Sequence, residues 1–341
     1  MNKTKGFIAA LLFLFVFLAF YFFREKSPQP YQTNSGMIFG TLYNIKYQYK
    51  KDIQADIEAE LKRFELSLSP FNSNSVIARI NNNDPDIRAD EWFTTVFNKS
   101  KEIYQLSDGY FDPTVSPLIN AWGFGFEKSD SVTQELIDSL LVFVGMDKIS
   151  LSPEGKAIKT DPRIKLDFSA IAKGYGCDVV GRYLEKRGIR NFMVEIGGEV
   201  VARGVNPSGN CWRLGIRVPK EGDAAGPIPW IEKIALCDAA LATSGNYLNY
   251  RIKDGKKFAH TINPKDGKPI QRSLLSATVL SKDCMTADAL ATTFMVVGLE
   301  QAMELAESLP DVEAYFISAS ETDTTGYHIT QTSGMSRHIV P

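Results

Sequence analysis

Three groups of residues in this 341-residue chain have types and spacings suited to chemistry. The first lies in Leu166-Asp167-Phe168-Ser169-Ala170-Ile171-Ala172-Lys173-Gly174, where an alternating run gives way to a helical pattern. A helix start offers unpaired N–H groups and partial positive charge, which favour anions, and Lys173 adds a full charge. Asp167 could accept from a nucleobase or hold a cation-bound water. The same residues also suit a capped helix with Asp167 and Lys173 as a surface ion pair. The second group is Asp288 and Thr292, four apart and so on one face of a helix. A carboxylate, a hydroxyl and free carbonyls are the oxygen donors a hard cation such as Mg²⁺ takes. Taken alone, the pair reads equally as a polar helix face. Their neighbours Ala287, Leu290, Ala291, Phe294, Met295 and Val296 are apolar, however, and a carboxylate in such surroundings needs a partner. The third group is His260-Thr261-Ile262-Asn263-Pro264. It leads from a hairpin pattern into an Asn-Pro turn, a position suited to a cleft edge. Its imidazole is suited to take a proton near neutral pH, although a lone histidine is commonly structural. With only His260, His328 and His338 in the chain, imidazole chemistry has three candidates.

The elements that must position these residues follow from periodicity. Ile53, Ile57, Leu61, Phe64 and Leu68 recur at helical steps and predict an amphipathic helix. Residues 91–106 predict a second helix, ended by Ser107-Asp108-Gly109. Residues 133–143, 170–186, 286–298 and 300–309 predict further helices. Strands are predicted over 37–49, 163–168, 191–196, 212–218, 231–237, 274–281, 312–318 and 326–330. Residues 67–75 read as a polar loop and 242–246 as a turn, with a hairpin turn at 253–256. Residues 111–126 hold two prolines, two glycines and four aromatics, too irregular for one element. A loop this apolar is expected to be buried or to wrap a ligand. Hairpins mixed with flanking helices indicate an α+β fold.

A formal net charge of -2 implies no basic surface for nucleic acid. Four cysteines without CxxC spacing support neither a zinc site nor a dense disulfide framework, and Cys177 and Cys284 fall in helical patterns as core residues. Residues 6–23 are apolar and uncharged, preceded by Lys3 and Lys5, at the lower limit for crossing a bilayer. They predict an uncleaved signal-anchor, with a cleaved signal peptide as the alternative. Either way the remainder is expected outside the cytoplasm, on the periplasmic side of the inner membrane. The expected organisation is a cytoplasmic tip and anchor over 1–26, a tether over 27–36 and a catalytic domain over 37–341.

Six motifs occur in one order. They are Phe111-Asp112-Pro113-Thr114-Val115 with Trp122-Gly123-Phe124-Gly125, the Asp167 to Gly174 stretch, Glu195-Ile196-Gly197-Gly198-Glu199, Thr243-Ser244-Gly245-Asn246-Tyr247, the His260 motif, and the run from Thr286 to Thr292. Together they resemble the ApbE-type flavin transferases, the FAD:protein FMN transferases, over residues 37–330. The resemblance implies an α+β, T-fold-related architecture with FAD in a cleft between two subdomains. It implies Mg²⁺, and transfer of FMN from FAD to a threonine or serine of another protein with release of AMP. The partner implied is a flavoprotein subunit of a membrane redox complex. By position, Asp167, Lys173 and Ile262 would contact FAD, as would Ala121, Trp122 and Gly123 at its adenine end. Phe39 stands where the family often has methionine, and Phe71 where it often has tyrosine; both keep apolar contact with the cofactor. Ser116, Asn263 and Asp266 are further departures that remove no implied ligand. The Mg²⁺ ligands would be the Ala170 carbonyl, the Asp288 carboxylate, the Ala291 carbonyl and the Thr292 hydroxyl, and His260 would accept the proton of the attacking hydroxyl. The same site could pass FMN to water instead, or only bind flavin. No Gly-x-Gly-x-x-Gly fingerprint points to a dinucleotide redox enzyme.

Overall fold

A computed structural model describes residues 29–124, 132–218, 230–246, 250–253 and 256–341. The apolar stretch 6–23 lies outside the described residues, and no described helix is long and apolar enough to cross a membrane.

The organising element is an eight-stranded antiparallel sheet. Its strands Tyr31–Ile38, Thr41–Gln48, Phe192–Ile196, Glu199–Arg203, Ala240–Gly245, Leu274–Ser281, Glu313–Ala319 and Tyr327–Gln331 lie side by side in chain order. The helices are excursions between successive strands. Alternation sends side chains to opposite faces. Val201 therefore packs beneath the helices, while its neighbours Val200 and Ala202 face a second core with Trp212, Ile234 and Tyr315. That second core is covered by a small sheet of Trp212–Arg217, Trp230–Leu236 and Ile339–Val340. A disulfide joins Cys211 to Cys237 across the small sheet. With its ends 26 positions apart in sequence, it constrains the unfolded chain by about 3–4 kcal/mol.

Two helices on the other face carry the candidate residues: Ala172–Lys186 and Cys284–Val297. They pack without a spacer at Gly174, where a Cβ would meet the Cys284 carbonyl oxygen at 2.2 Å. Asp178, buried in the first helix, accepts from the backbone N–H of Cys284 and of Met285, both at 2.9 Å, and so caps the second helix. Burial pushes the Asp178 carboxyl up to about 7 against the lowering effect of these hydrogen bonds.

Several expectations are corrected. Residues 37–49 form not one strand but a hairpin, turning at Phe39 and Gly40 with φ of 51° and 72°. Two successive positive φ values are the geometry of a tight two-residue hairpin turn, and the Phe39 ring is held against Phe64 at 5.4 Å. The first described strand starts at Tyr31, inside the stretch expected to be a tether, where polar Gln32 and Asn34 lie in an edge strand paired on one side alone among the described residues. The loop at 67–75 runs into a helix, Val76–Asn81, capped by Ser75. Residues 242–246 belong to a sheet strand, not a turn, and Glu199–Arg203 is a strand absent from the sequence reading. Within 111–126 the chain makes a 3₁₀ turn, Pro113–Val115, and a short helix, Ser116–Ala121. Residues 163–168 join no ladder among the described residues. The Asn81 side chain substitutes for a neighbouring strand there, donating to the Leu166 carbonyl and accepting from its N–H at 2.8 Å each. Helices Gln54–Leu68, Glu91–Leu106 and Leu299–Ser308 agree with the periodicity.

Candidate active site

The site is assembled where the two central helices meet the sheet. Asp167 is held by its own N–H, which donates to the Pro113 carbonyl at 2.8 Å. Its Oδ1 accepts from the Ser169 N–H and hydroxyl at 2.8 and 2.6 Å. This turn delays the helix to Ala172, two residues later than expected, and leaves Ala170 facing open space. Lys173, one residue into the helix, pairs with Glu199 at 2.9 Å rather than with Asp167. Its stem lies against the turn at Gly197, which has φ of 63° and where a Cβ would sit 3.3 Å from Lys173 Cδ. Only glycine suits a turn that close at a positive φ.

From the facing helix, Asp288 points at the same place. Its Oδ2 accepts from the Gly174 N–H at 3.0 Å, and its Oδ1 stands 3.9 Å from Lys173 Nζ. Thr292, one turn on, shares a hydrogen bond with the Ser244 hydroxyl at 3.1 Å. Ser244 is there because 242–246 is a strand, whose Thr243 likewise meets Thr278 across the ladder at 2.9 Å.

Burial depresses the Lys173 ammonium, but Asp288 and Glu199 outweigh it and hold its pKa above the usual value. Burial pushes Asp288 and Glu199 up, and Lys173 pulls both back toward the charged form. The Glu199 Oε2 atom is buried and has no hydrogen-bond partner among the described residues. Asp112, on the opposite wall, is raised to about 6 by burial, against hydrogen bonds from the Thr114 N–H and hydroxyl.

One cleft of about 500 Å³ joins these residues. Asp167, Ala170, Lys173, His260, Ile262, Asp288 and Thr292 all line it, so seven of the expected site residues converge. His260 follows the strand Lys256–Ala259 and precedes a bridge between Ile262 and Pro269 that pins the segment. Ala291 is fully buried beside Thr292 but is not on the cleft wall. Ala121, Trp122, Gly123, Phe39 and Phe71 also lie off that wall. Trp122 donates to the Gly267 carbonyl at 2.8 Å, which ties its loop to the His260 segment. Phe71 is 70% exposed. Three cleft residues, Asp112, Glu199 and Ser244, stand in quoted motifs but had no assigned role, because no spacing signals where a strand will aim them.

The donors around Lys173 and Asp288 are all oxygen atoms apart from the ammonium. Four carboxylates, Asp112, Asp167, Glu199 and Asp288, line the cleft with a single lysine. Among the described residues no three His, Cys, Asp or Glu side chains group as a metal cluster. A set of one carboxylate with main-chain and hydroxyl oxygens is of another kind, and the unpartnered Glu199 oxygen is consistent with added positive charge.

An antiparallel sheet flanked by helices, with one lysine, one histidine and four carboxylates lining its cleft among the described residues, defines an α+β protein with a polar, acid-rich site. The comparisons narrow that class. A sequence model of the ApbE family matches residues 39–316. The FAD:protein FMN transferase of Vibrio cholerae serotype O1 is 38% identical over 286 residues, covering 80% of this chain and 84% of that protein. The FAD:protein FMN transferase of Haemophilus influenzae is 38% identical over 292 residues, covering 80% and 82%. The solved flavin transferase ApbE from Vibrio cholerae superposes with a TM-score of 0.81 at 34% identity, over 91% of this chain and all of that one. The chain belongs to the ApbE family.

Proposed function

We propose that the protein is an FAD:protein FMN transferase. It moves FMN from FAD to a threonine or serine hydroxyl of an acceptor protein and releases AMP. The observation that carries this reading is the meeting of Lys173, Asp288 and His260, from three separate segments, in one cleft. Family membership supports it, as do the relatives named above.

In this reading the FAD diphosphate lies over the start of helix Ala172–Lys186, with Lys173 against its oxygens. Asp167 accepts from the nucleotide, and Ile262 gives an apolar contact. Phe39, Phe71, Ala121, Trp122 and Gly123 would meet the rest of the dinucleotide beyond the described wall. Mg²⁺, held by Asp288, Thr292 and the carbonyls of Ala170 and Ala291, would offset phosphate charge that otherwise repels the nucleophile. His260 takes the proton as the acceptor oxygen bonds to the FMN phosphorus. The bond from that phosphorus to the bridging oxygen breaks, and AMP leaves with the oxygen.

The disulfide supports a catalytic domain outside the cytoplasm, since such bonds persist in oxidising compartments. Residues 6–23 are proposed as its membrane anchor. The acceptor is proposed to be a flavoprotein subunit of a membrane redox complex.

The test is to incubate the protein with FAD, Mg²⁺ and a candidate acceptor domain. In-gel flavin fluorescence on the acceptor, with stoichiometric AMP, is expected. AMP with free FMN and a dark acceptor would make the protein an FAD pyrophosphatase. Neither product would leave flavin binding alone.

A further inference from the structure

Glu199 has no part in the reading above, yet it sits at the floor of the cleft. It opens its strand directly after Gly197 and Gly198, whose φ values of 63° and 102° turn the chain inward. Its side chain is 6% exposed. One oxygen accepts from Lys173 Nζ at 2.9 Å, and the other has no partner among the described residues. Asp288 Oδ1 stands 3.9 Å from the same ammonium, without a direct hydrogen bond. Two buried carboxylates thus compete for one cation, and Glu199 holds it. The geometry is closely fixed. The two helices leave no room for a Cβ at Gly174, and the Lys173 stem is braced at Gly197. The ammonium therefore chooses between two nearby anions, and a small movement separates the choices.

We propose that Glu199 is a positioning residue for the cation site: by holding Lys173 on its own side of the cleft, it leaves the Asp288 oxygen free to bind a divalent ion. This rests on the reading of Asp288 as a cation ligand. Without the Glu199 charge, Lys173 closes the remaining gap to Asp288 and occupies it. An ammonium beside a carboxylate stabilises its charged form by about tenfold or more, and a metal ion that takes the same oxygen must displace that ammonium.

The experiment is calorimetric titration of Mg²⁺ and of Mn²⁺ into the full chain without FAD, so that Lys173 variants do not act through flavin binding, with melting temperatures recorded alongside. Glu199→Gln keeps the shape and an oxygen for Lys173 but removes the charge. It is expected to weaken divalent affinity by about tenfold. Adding Lys173→Gln to Glu199→Gln is expected to restore that affinity, because the competitor for Asp288 is gone. A merely structural role for Glu199 would lower the melting temperature and give no rescue. Unchanged metal affinity in Glu199→Gln, or no rescue in the double variant, overturns the proposal. If the wild-type chain binds no divalent ion and Asp288→Asn behaves like it, the reading of the cation site fails first.

Discussion

The two sides of the cleft are built differently. The side carrying Lys173, Glu199 and Asp288 is a seam between packed helices and the sheet. Each of these side chains is held by a partner at 2.9 to 3.0 Å, and the helices are locked at Gly174. The side carrying His260 is a half-buried segment that follows the Lys256–Ala259 strand. It is pinned by the Ile262 to Pro269 bridge and by the Trp122 contact, and its turn is stabilised by Asn263, which accepts from the Lys265 N–H at 3.0 Å. The difference matches what each side would meet. A diphosphate needs charges fixed before it arrives, since preorganised charge stabilises a transition state without reorganising. In the proposed transfer an acceptor protein would arrive from outside, and His260, as its base, would serve it from the rim.

That contrast breaks if rim and seam variants behave alike. The largest effect is expected at the rim: His260→Gly should cut transfer by roughly 10²–10⁴-fold while melting temperature and FAD binding stay near wild type. Single-turnover flavin labelling, paired with FAD titration, separates the two. At the seam, Gly174→Ala should lose stability and activity together, by about 1–3 kcal/mol or more in folding. Its Cβ would press on main-chain atoms that cannot swing aside. Denaturant unfolding measures it, and a fully stable but inactive variant would contradict the locked seam. The smallest effect concerns the Asp178 cap. Its folded pKa of about 7 lies above the unfolded value of 3.8. The stability it contributes is therefore fully present below the unfolded value and is lost as pH rises through the folded one. Asp178→Asn should flatten the fall in melting temperature across that window. A slope unchanged from wild type would show that other buried carboxylates set it.

Legibility from sequence followed the same divide. The long helices Gln54–Leu68 and Glu91–Leu106 repeat at their own period, so their partners hardly matter to the reading. Strands were read where alternation was clear and missed where function altered it. Ala240–Gly245 ends in Thr243, Ser244 and Gly245 where it reaches the cleft, and such small residues imitate a turn. Residues 163–168 alternate as a strand should, but their neighbour is the Asn81 side chain, which no local pattern announces. Of the site, Lys173, Asp288 and His260 stood out by charge or rarity against their surroundings. Glu199 did not, because its importance lies in two residues distant in sequence.

The strict agreement between chain order and strand order has an evolutionary corollary. Residues 49–191, with most of the helices, leave the sheet after one strand and return to pair beside it. An excursion of that kind can lengthen, shrink or be exchanged without re-threading anything downstream. Its outer parts can thus vary while the stretch carrying Asp167 and Lys173, tied to Glu199 of the sheet and Asp288 of the facing helix, stays in place.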